Sequence, residues 1–213
     1  MGRKQRIGFG SFGAMDLSLL EGTIISSFFP EGKGMTINEI RDRVEYSYER
    51  VNSALKSLTK KKIVIEEKKG KTLIYSLDLQ HLYAEIGFDH YTLEREIEFI
   101  KKHKTIYQAI KEIRENHSIL IIILFGSYSK DIENKQSDID LLCIPITNKK
   151  EAENFIFSLK HKYGVNISPV VIPYADFPNI KKDNPELWQD LKQFGVVFKG
   201  EDYVYSWMYK YDR

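Results

Sequence analysis

The sequence contains almost no cysteine, no long apolar run and no large excess of charge of one sign. Its single cysteine among 213 residues, Cys143, excludes an internal disulfide framework and a cysteine-based zinc site. No segment approaches the roughly 18 to 20 consecutive apolar residues of a membrane helix, and the first residues lack the apolar core of a signal peptide. We therefore expect a cytoplasmic protein without a membrane partner.

The composition indicates a folded chain whose charge is unevenly distributed. Hydrophobic residues make up 42% and aromatic residues 13%, which is enough apolar surface to offset the entropy lost on folding. Residues 1–80 carry 14 basic and 10 acidic side chains, whereas residues 81–213 carry 18 and 20. The basic excess of the first part favours contact with a polyanion, and the length allows two small domains.

The first part of the chain shows three helical patterns followed by a period of two. The helical segments begin near Asp16, after Thr36 and after Ser47. Two alternating segments, residues 63–67 and 72–77, flank a lysine-rich turn and predict a β-hairpin. The sequence therefore predicts three short helices and a hairpin with a basic tip.

That order of elements resembles the winged helix-turn-helix domains of prokaryotic transcriptional regulators, over residues 16–80. The resemblance implies that the third helix enters the major groove of double-stranded DNA, where lysines contact phosphates and other polar side chains reach base edges. The candidate DNA-binding residues are Arg50, Asn52, Ser53, Lys56, Lys60, Lys68, Lys69 and Lys71. Two alternatives stay open: the lysines are simply solvated, or the unit binds another protein, since Glu49 on the same helix face would repel phosphate.

A charged amphipathic stretch follows, and we interpret residues 81–104 as a helical connector. The apolar positions between Tyr91 and His117 suit one bent helix or two consecutive helices. This stretch would join the domains, form the seam of a homodimer, or, over residues 105–116, begin the second domain. The five histidines show no i, i+4 pairing, so we expect ordinary histidines and not metal ligands.

The last part of the chain carries two carboxylates on one face of a predicted strand. The apolar run Ile119–Phe125 predicts a strand buried on both faces, and a second strand follows from Asp138. Alternation places Asp138 and Asp140 on the same face, where their repulsion is costly unless a cation offsets it. Because lysine and arginine are absent from residues 136–148, the economical cation is a divalent metal, and Mg²⁺ suits carboxylate and phosphate oxygens.

These residues form a motif that resembles a known family. Gly126-Ser127, with Ser137-Asp138-Ile-Asp140-Leu at the matching distance, resembles the signature of minimal nucleotidyltransferase domains in the DNA polymerase beta superfamily. The resemblance implies that Asp138 and Asp140 are catalytic and hold Mg²⁺ on a nucleoside triphosphate. It further implies that the nucleotide is bound by Gly126, Ser127, Ser129 and Lys130.

The sequence also departs from the family pattern. Ser129, Lys130 and Asp131 stand where alanine, arginine and glycine are common. A third acidic residue is expected on a later strand, yet the best candidate, residues 165–172, offers only Asn166 and Ser168 at its polar positions. The missing group would come from Asp176, from the acceptor or from a partner, or else the domain binds a nucleotide without turning it over.

We therefore predict an α+β chain that consists of an N-terminal winged helix-turn-helix and a C-terminal nucleotidyltransferase domain with a small mixed sheet, at residues 105–213. The predicted function is Mg²⁺-dependent transfer of a nucleotidyl group to a protein or nucleic acid acceptor. The alternatives are a DNA-binding regulator whose second domain only binds nucleotide or mediates dimerisation, and an antitoxin. We expect the aromatic tail, Tyr203 to Tyr211, to cover the core, and the alternative is that it forms an interface.

Overall fold

The computed structural model describes residues 17–32, 34–146 and 148–210. The first segment of the fold contains the predicted three helices and hairpin. They are α1 (Leu19–Ser27), α2 (Ile37–Val44), α3 (Tyr48–Lys60), β1 (Val64–Lys69) and β2 (Thr72–Leu77). Strands β1 and β2 are antiparallel. This part of the prediction is confirmed in the number, type and order of the elements.

Local hydrogen bonds explain where the first helices begin. Thr36 accepts from the backbone of Glu39, whose carboxylate accepts from the backbone of Thr36, so the predicted capping box is confirmed. Ser18 and Glu21 form a second capping box at α1, which sequence reasoning missed. Ser47 is the N-cap of α3, but its side chain makes no capping hydrogen bond.

The amphipathic stretch after the hairpin forms two consecutive helices, of which the first corresponds to the predicted connector. They are α4 (Leu82–Lys102) and α5 (Lys104–Glu115), with His103 in a non-helical conformation between them. Helix α4 packs on α1, on strand β6 (Val196–Lys199) and on the later helix α10 (Glu201–Tyr205). The connector therefore lies against both parts of the chain.

The second part of the chain forms a four-stranded mixed sheet with short helices. After α5 come β3 (Ile119–Phe125), α6 (Gly126–Ser129), β4 (Ile139–Pro145), α7 (Lys149–Tyr163), β5 (Ile167–Val171), a 3-10 turn (Phe177–Asn179), α8 (Ile180–Asp183), α9 (Pro185–Phe194), β6, α10 (Glu201–Tyr205) and a π-helical turn (Ser206–Lys210). The strand order is β5-β4-β3-β6. The β4–β5 pair is parallel and the other two pairs are antiparallel, which confirms the predicted mixed sheet.

The two faces of this sheet bury different apolar clusters. Ile122 and Leu141 pack with α5 and α7 in one cluster. Ile123 and Leu142, which alternate to the other face, belong to a cluster that also contains Phe28 of α1 and most of the N-terminal core. The N-terminal part and the sheet therefore share one continuous apolar core.

The aromatic tail completes this shared core. Trp207, Met208 and Tyr209 are buried, and the hydroxyl of Tyr209 donates to the backbone oxygen of Pro30 at 2.7 Å. The prediction that the tail packs on the core is confirmed up to Lys210, and Tyr211 lies outside the described residues. Over the described ranges, no helix has both the length and the apolar character needed to cross a bilayer.

Replacing Trp207 with alanine tests the contribution of the tail. The ring of Trp207 lies 4.0 Å from that of Phe177 and 4.3 Å from that of Trp188, centroid to centroid. Truncation should cost about 3–5 kcal/mol, which lowers the melting temperature by roughly 10 °C in a chain of this size. Thermal unfolding followed by circular dichroism measures it. Tyr203→Ala is the control, because that ring is 39% exposed, and an equal loss in both variants would contradict the assignment.

Candidate active site

The motif residues meet where β3 ends and β4 begins. Phe125, the last residue of β3, pairs with Asp140 on β4. The chain then turns into α6, whose first residue is Gly126. The glycine-serine turn and the aspartates therefore lie at the same edge of the sheet.

Gly126 allows Asp140 to lie directly against the turn. Its φ of 72° is in the left-handed region, and a Cβ atom at this position would collide with the carboxylate of Asp140. Any larger residue would displace either the turn or the carboxylate. The sequence motif assigns the glycine to phosphate approach, and the structure adds that it makes room for a candidate metal ligand.

Two carboxylates lie side by side at this edge. Asp138 is exposed and Asp140 is half-buried. Burial raises the pKa of Asp140, and the neighbouring charges of Asp138 and Asp190 raise it further, while Lys130 opposes the shift. A pair of oxygen ligands that repel each other in this way is a donor set that fits a hard divalent cation.

The strand expected to carry the third acid offers neutral side chains. Strand β5 runs parallel to β4 with Ser168 opposite Asp140, and the amide of Asn166 donates to the carboxylate of Asp138. No acidic residue lies on β5. Asp176 follows the other end of β5, beyond the pairing of Val171 with Cys143, so the suggestion that Asp176 supplies this group is wrong.

A different acid reaches the site from α9. The carboxylate of Asp190 accepts a hydrogen bond from the backbone N–H of Gly126 at 3.1 Å and forms an ion pair with Lys130. The ammonium of Lys130 also lies over the ring of Phe194, with Nζ 5.2 Å from the centroid. Sequence reasoning missed Asp190, because nothing distinguishes it from the other charged residues of an amphipathic helix.

Of the two serines of the motif, Ser127 is partly exposed to a ligand, whereas Ser129 lies inside the turn. Ser127 is half-buried, and its backbone oxygen accepts from the N–H groups of Lys130 and Ile132. Ser129 is buried, and its hydroxyl donates to the carbonyl of Gly126 at 3.0 Å, so it holds the turn and is not offered to a ligand. Arg95 of α4 donates to the backbone oxygen of Ser129.

A second group of potential metal ligands lies away from the aspartate pair. His103, Asp131 and Glu133 place ligand atoms within 4.8 Å of one another. Lys102 already forms an ion pair with Asp131 at 2.8 Å, and His103 lies 3.4 Å from Glu133. Lys102 therefore offsets the charge of Asp131, whereas Nε2 of His103 and one carboxylate oxygen of Glu133 are buried without a hydrogen-bond partner among the described residues.

The candidate DNA-binding residues are found on α3 and the hairpin. Asn52 is half-buried, and the others are exposed. Arg50 stacks over Tyr46, with the guanidinium carbon 4.5 Å from the ring centroid. Lys69 approaches Glu67 at 3.5 Å, so the tip is not uniformly basic.

Comparison with known families matches the second part of the chain to an enzyme domain. The match extends from α5 to α10. Residues 108–202 match the family described as Polymerase beta, Nucleotidyltransferase. The resemblance inferred from the glycine-serine and aspartate motifs is thus supported independently, and these residues form a nucleotidyltransferase domain.

Two relatives extend the comparison. A protein of Methanocaldococcus jannaschii with the provisional name protein adenylyltransferase MJ1305 is 28% identical over 92 residues, which cover 40% of this chain and 62% of that protein. The chain thus spans less than two thirds of this relative. The solved structure of TrmBL2, titled as an archaeal chromatin protein with a novel mode of DNA binding, aligns over 83% of this chain and 71% of its own. Its identity is 16% and its TM-score 0.28, so this likeness carries no argument about fold or function.

Replacing Asp140 with asparagine should stabilise the metal-free protein. The pKa of Asp140 is raised above its ordinary value of 3.8, so the folded state binds the proton more tightly than the unfolded state. The free-energy cost of placing the charge of Asp140 in the folded protein is therefore absent below pH 3.8, where the carboxyl is protonated in both states, and is fully present at neutral pH. We expect the variant to melt a few degrees higher than the natural protein at pH 7, and this gain should shrink as the pH falls into the acid range in which Asp140 takes up its proton.

Thermal unfolding at several pH values measures this gain, with Asp176→Asn as the charge-matched control at the other end of the sheet. Added Mg²⁺ should raise the melting temperature of the natural protein and not that of Asp140→Asn. A variant that is less stable at pH 7 without metal would contradict the assigned repulsion.

Proposed function

We propose that the chain binds a magnesium nucleoside triphosphate at the edge of β3 and β4 and transfers its nucleotidyl group to an acceptor hydroxyl. The observation that carries the proposal is the placement of Asp138 and Asp140 beside the turn at Gly126, within residues that match a nucleotidyltransferase family. The oxygen of the acceptor would form a bond to the α-phosphorus, while pyrophosphate leaves with the electrons of the broken P–O bond.

Each motif residue has a role in this proposal. The carboxylates of Asp138 and Asp140 would hold Mg²⁺, which would neutralise phosphate charge and keep the reacting groups in line. The backbone of Gly126, the N–H and hydroxyl of Ser127, and the ammonium of Lys130 would bind phosphate oxygens. Ser129 is left out, because its hydroxyl is used inside the turn.

The reaction also needs a general base to take the proton of the acceptor hydroxyl. Ser168 on β5 lies opposite Asp140, Asn166 just before β5 contacts Asp138, and neither is a general base. We assign this role to a group on the acceptor or on its carrier. The provisional name of the M. jannaschii relative supports a protein side chain as the acceptor. The proposal then requires no additional domain in this chain to hold a different kind of acceptor.

Transfer of a labelled nucleotide tests the proposal. Incubation with Mg²⁺ and α-³²P-labelled triphosphates should label an acceptor protein from an extract of the source cells. Asp138→Asn should lower the rate by at least about 10²-fold, because it removes a charge that holds the metal at the transition state. Glu186→Gln on α9 serves as the folded control.

The same assay separates catalysis from simple nucleotide binding. Binding of triphosphate that depends on Asp138, without transfer to any acceptor, would favour the binding-only alternative. Labelling that is equal in the natural protein and in Asp138→Asn would contradict the proposed site. Nucleotide preference follows from the relative labelling by the four ribonucleoside triphosphates.

We further propose that the N-terminal part is a winged helix that binds double-stranded DNA. The proposal is supported by the order of α1, α2, α3 and the hairpin, and by a Met35–Tyr75 bridge that adds the segment before α2 to the edge of β2. The exposed side chains of α3 and the lysines of the hairpin would then face one duplex. A homodimer remains a prediction.

Salt dependence tests this mode of DNA binding. Replacing Lys68, Lys69 and Lys71 together with alanine should weaken DNA binding at all sequences. The slope of log K against log salt should fall by about one for each phosphate that is no longer neutralised. Fluorescence anisotropy at several salt concentrations measures both. The matched control replaces Lys104, Lys150 and Lys160, and an unchanged slope in the hairpin variant would contradict the winged-helix model.

A further inference from the structure

Asp190 occupies the two groups that a phosphate would use. Its carboxylate accepts from the backbone N–H of Gly126 and pairs with the ammonium of Lys130. These are one of the N–H donors and the one cationic side chain assigned above to the triphosphate. Asp190 lies 64 residues along the chain from Gly126 and belongs to α9, which is outside the motif.

The carboxylate resembles a bound phosphate in its chemistry. It offers two anionic oxygens to one N–H donor and one ammonium, as a pair of non-bridging phosphate oxygens does. Its side chain is 19% exposed, so the contact is sheltered from solvent and only weakly screened. The single N–H of Gly126 cannot donate fully to a triphosphate while Asp190 accepts from it, and the ammonium of Lys130, which keeps two further donors, already has its charge offset by Asp190.

The end of α9 is fixed to the nucleotide-binding turn by a separate set of hydrogen bonds. Arg95 donates to the backbone oxygen of Ser129 at the end of α6 and to that of Phe194 at the end of α9, at 3.0 and 2.9 Å. This bridge does not involve the carboxylate of Asp190. The side chain of Asp190 can therefore leave the turn while the helix ends stay joined.

We propose that Asp190 is a built-in competitor for the phosphate groups of the nucleotide and sets how tightly this site binds them. The inference rests on the proposed nucleotide site. When a triphosphate binds, the Asp190 side chain withdraws from Gly126 and Lys130, and no covalent bond changes. A site that is open about a tenth of the time binds its ligand about tenfold more weakly than one that is always open.

Two other roles for Asp190 predict different results. A metal-ligating Asp190 would make its removal weaken the binding of the metal alone. An Asp190 that only holds Lys130 in place for phosphate would make its removal weaken the binding of triphosphate. Competition is the one role in which removal strengthens triphosphate binding and leaves metal binding nearly unchanged.

Asparagine at this position preserves the shape of the side chain and removes the charge. Calorimetry with the Mg²⁺ complex of α,β-methylene-ATP should give an affinity about tenfold higher for Asp190→Asn than for the natural protein. Inorganic tripolyphosphate without metal should show a gain in the same direction. Mn²⁺ alone, measured by electron paramagnetic resonance, should bind Asp190→Asn within about threefold of the natural protein.

Glu186→Gln is the matched control. Glu186 is exposed on the same helix, one turn before Asp190, and its replacement removes the same charge. An equal gain in triphosphate affinity in both variants would show that the effect comes from net charge alone, and it would overturn the proposal. Weaker triphosphate binding by Asp190→Asn, or an unchanged affinity, would overturn it as well, and so would a loss of Mn²⁺ binding.

Hydrogen exchange on the natural protein tests the proposal without any substitution. On binding the methylene analogue, residues 126–130 should exchange more slowly while residues 185–194 keep their rate, because the Asp190 side chain is released but Arg95 still holds the end of α9. Protection of both segments would contradict release. If the natural protein binds the analogue but Asp190→Asn binds it no better, this inference alone fails, whereas the absence of binding in every variant would reject the nucleotide site itself.

Discussion

The candidate site depends on the close approach of the β4 carboxylate to the backbone of the turn after β3. Strand pairing sets Asp140 opposite Phe125, and the next residue must then be a glycine in a left-handed conformation. This single constraint brings together the acidic pair and the N–H groups of the turn. It also accounts for the raised pKa of Asp140, because the same packing that positions the carboxylate removes it from water.

The positive charges near the site come partly from the motif and partly from a distant helix. Lys130 lies just beyond the glycine-serine turn, and Arg95 reaches that turn from α4, the long helix that also packs on α1. The site is therefore built on contacts between the sheet, the connector and α9. Its electrostatic balance is a property of the whole second part of the chain, and not of the strand pair alone.

Much of this architecture follows from local pattern, and the rest follows from contacts between distant segments. The apolar run at Ile119–Phe125 defines its strand to the residue, because period and end signals are local. The spacing of Gly126 and Asp138 likewise locates the site. Asp190 could not be assigned in this way, since Gly126 lies 64 residues earlier and an acid on a helix face is ordinarily solvated. The amphipathic patterns of the helices indicated which faces are buried. They did not indicate that the N-terminal part and the sheet would bury their apolar side chains in one shared cluster.

That shared cluster has a consequence for how the chain folds and how it can be divided. Phe28 of the first helix and Ile123 of the central sheet belong to the same apolar interior, which the terminal aromatic segment closes. A cut after the hairpin would expose the inner surface of both fragments to water, at a cost that neither fragment can recover from its own contacts. The unit recognised by its motif is thus smaller than the unit that folds, which includes the first helix, the sheet and the terminal aromatic segment.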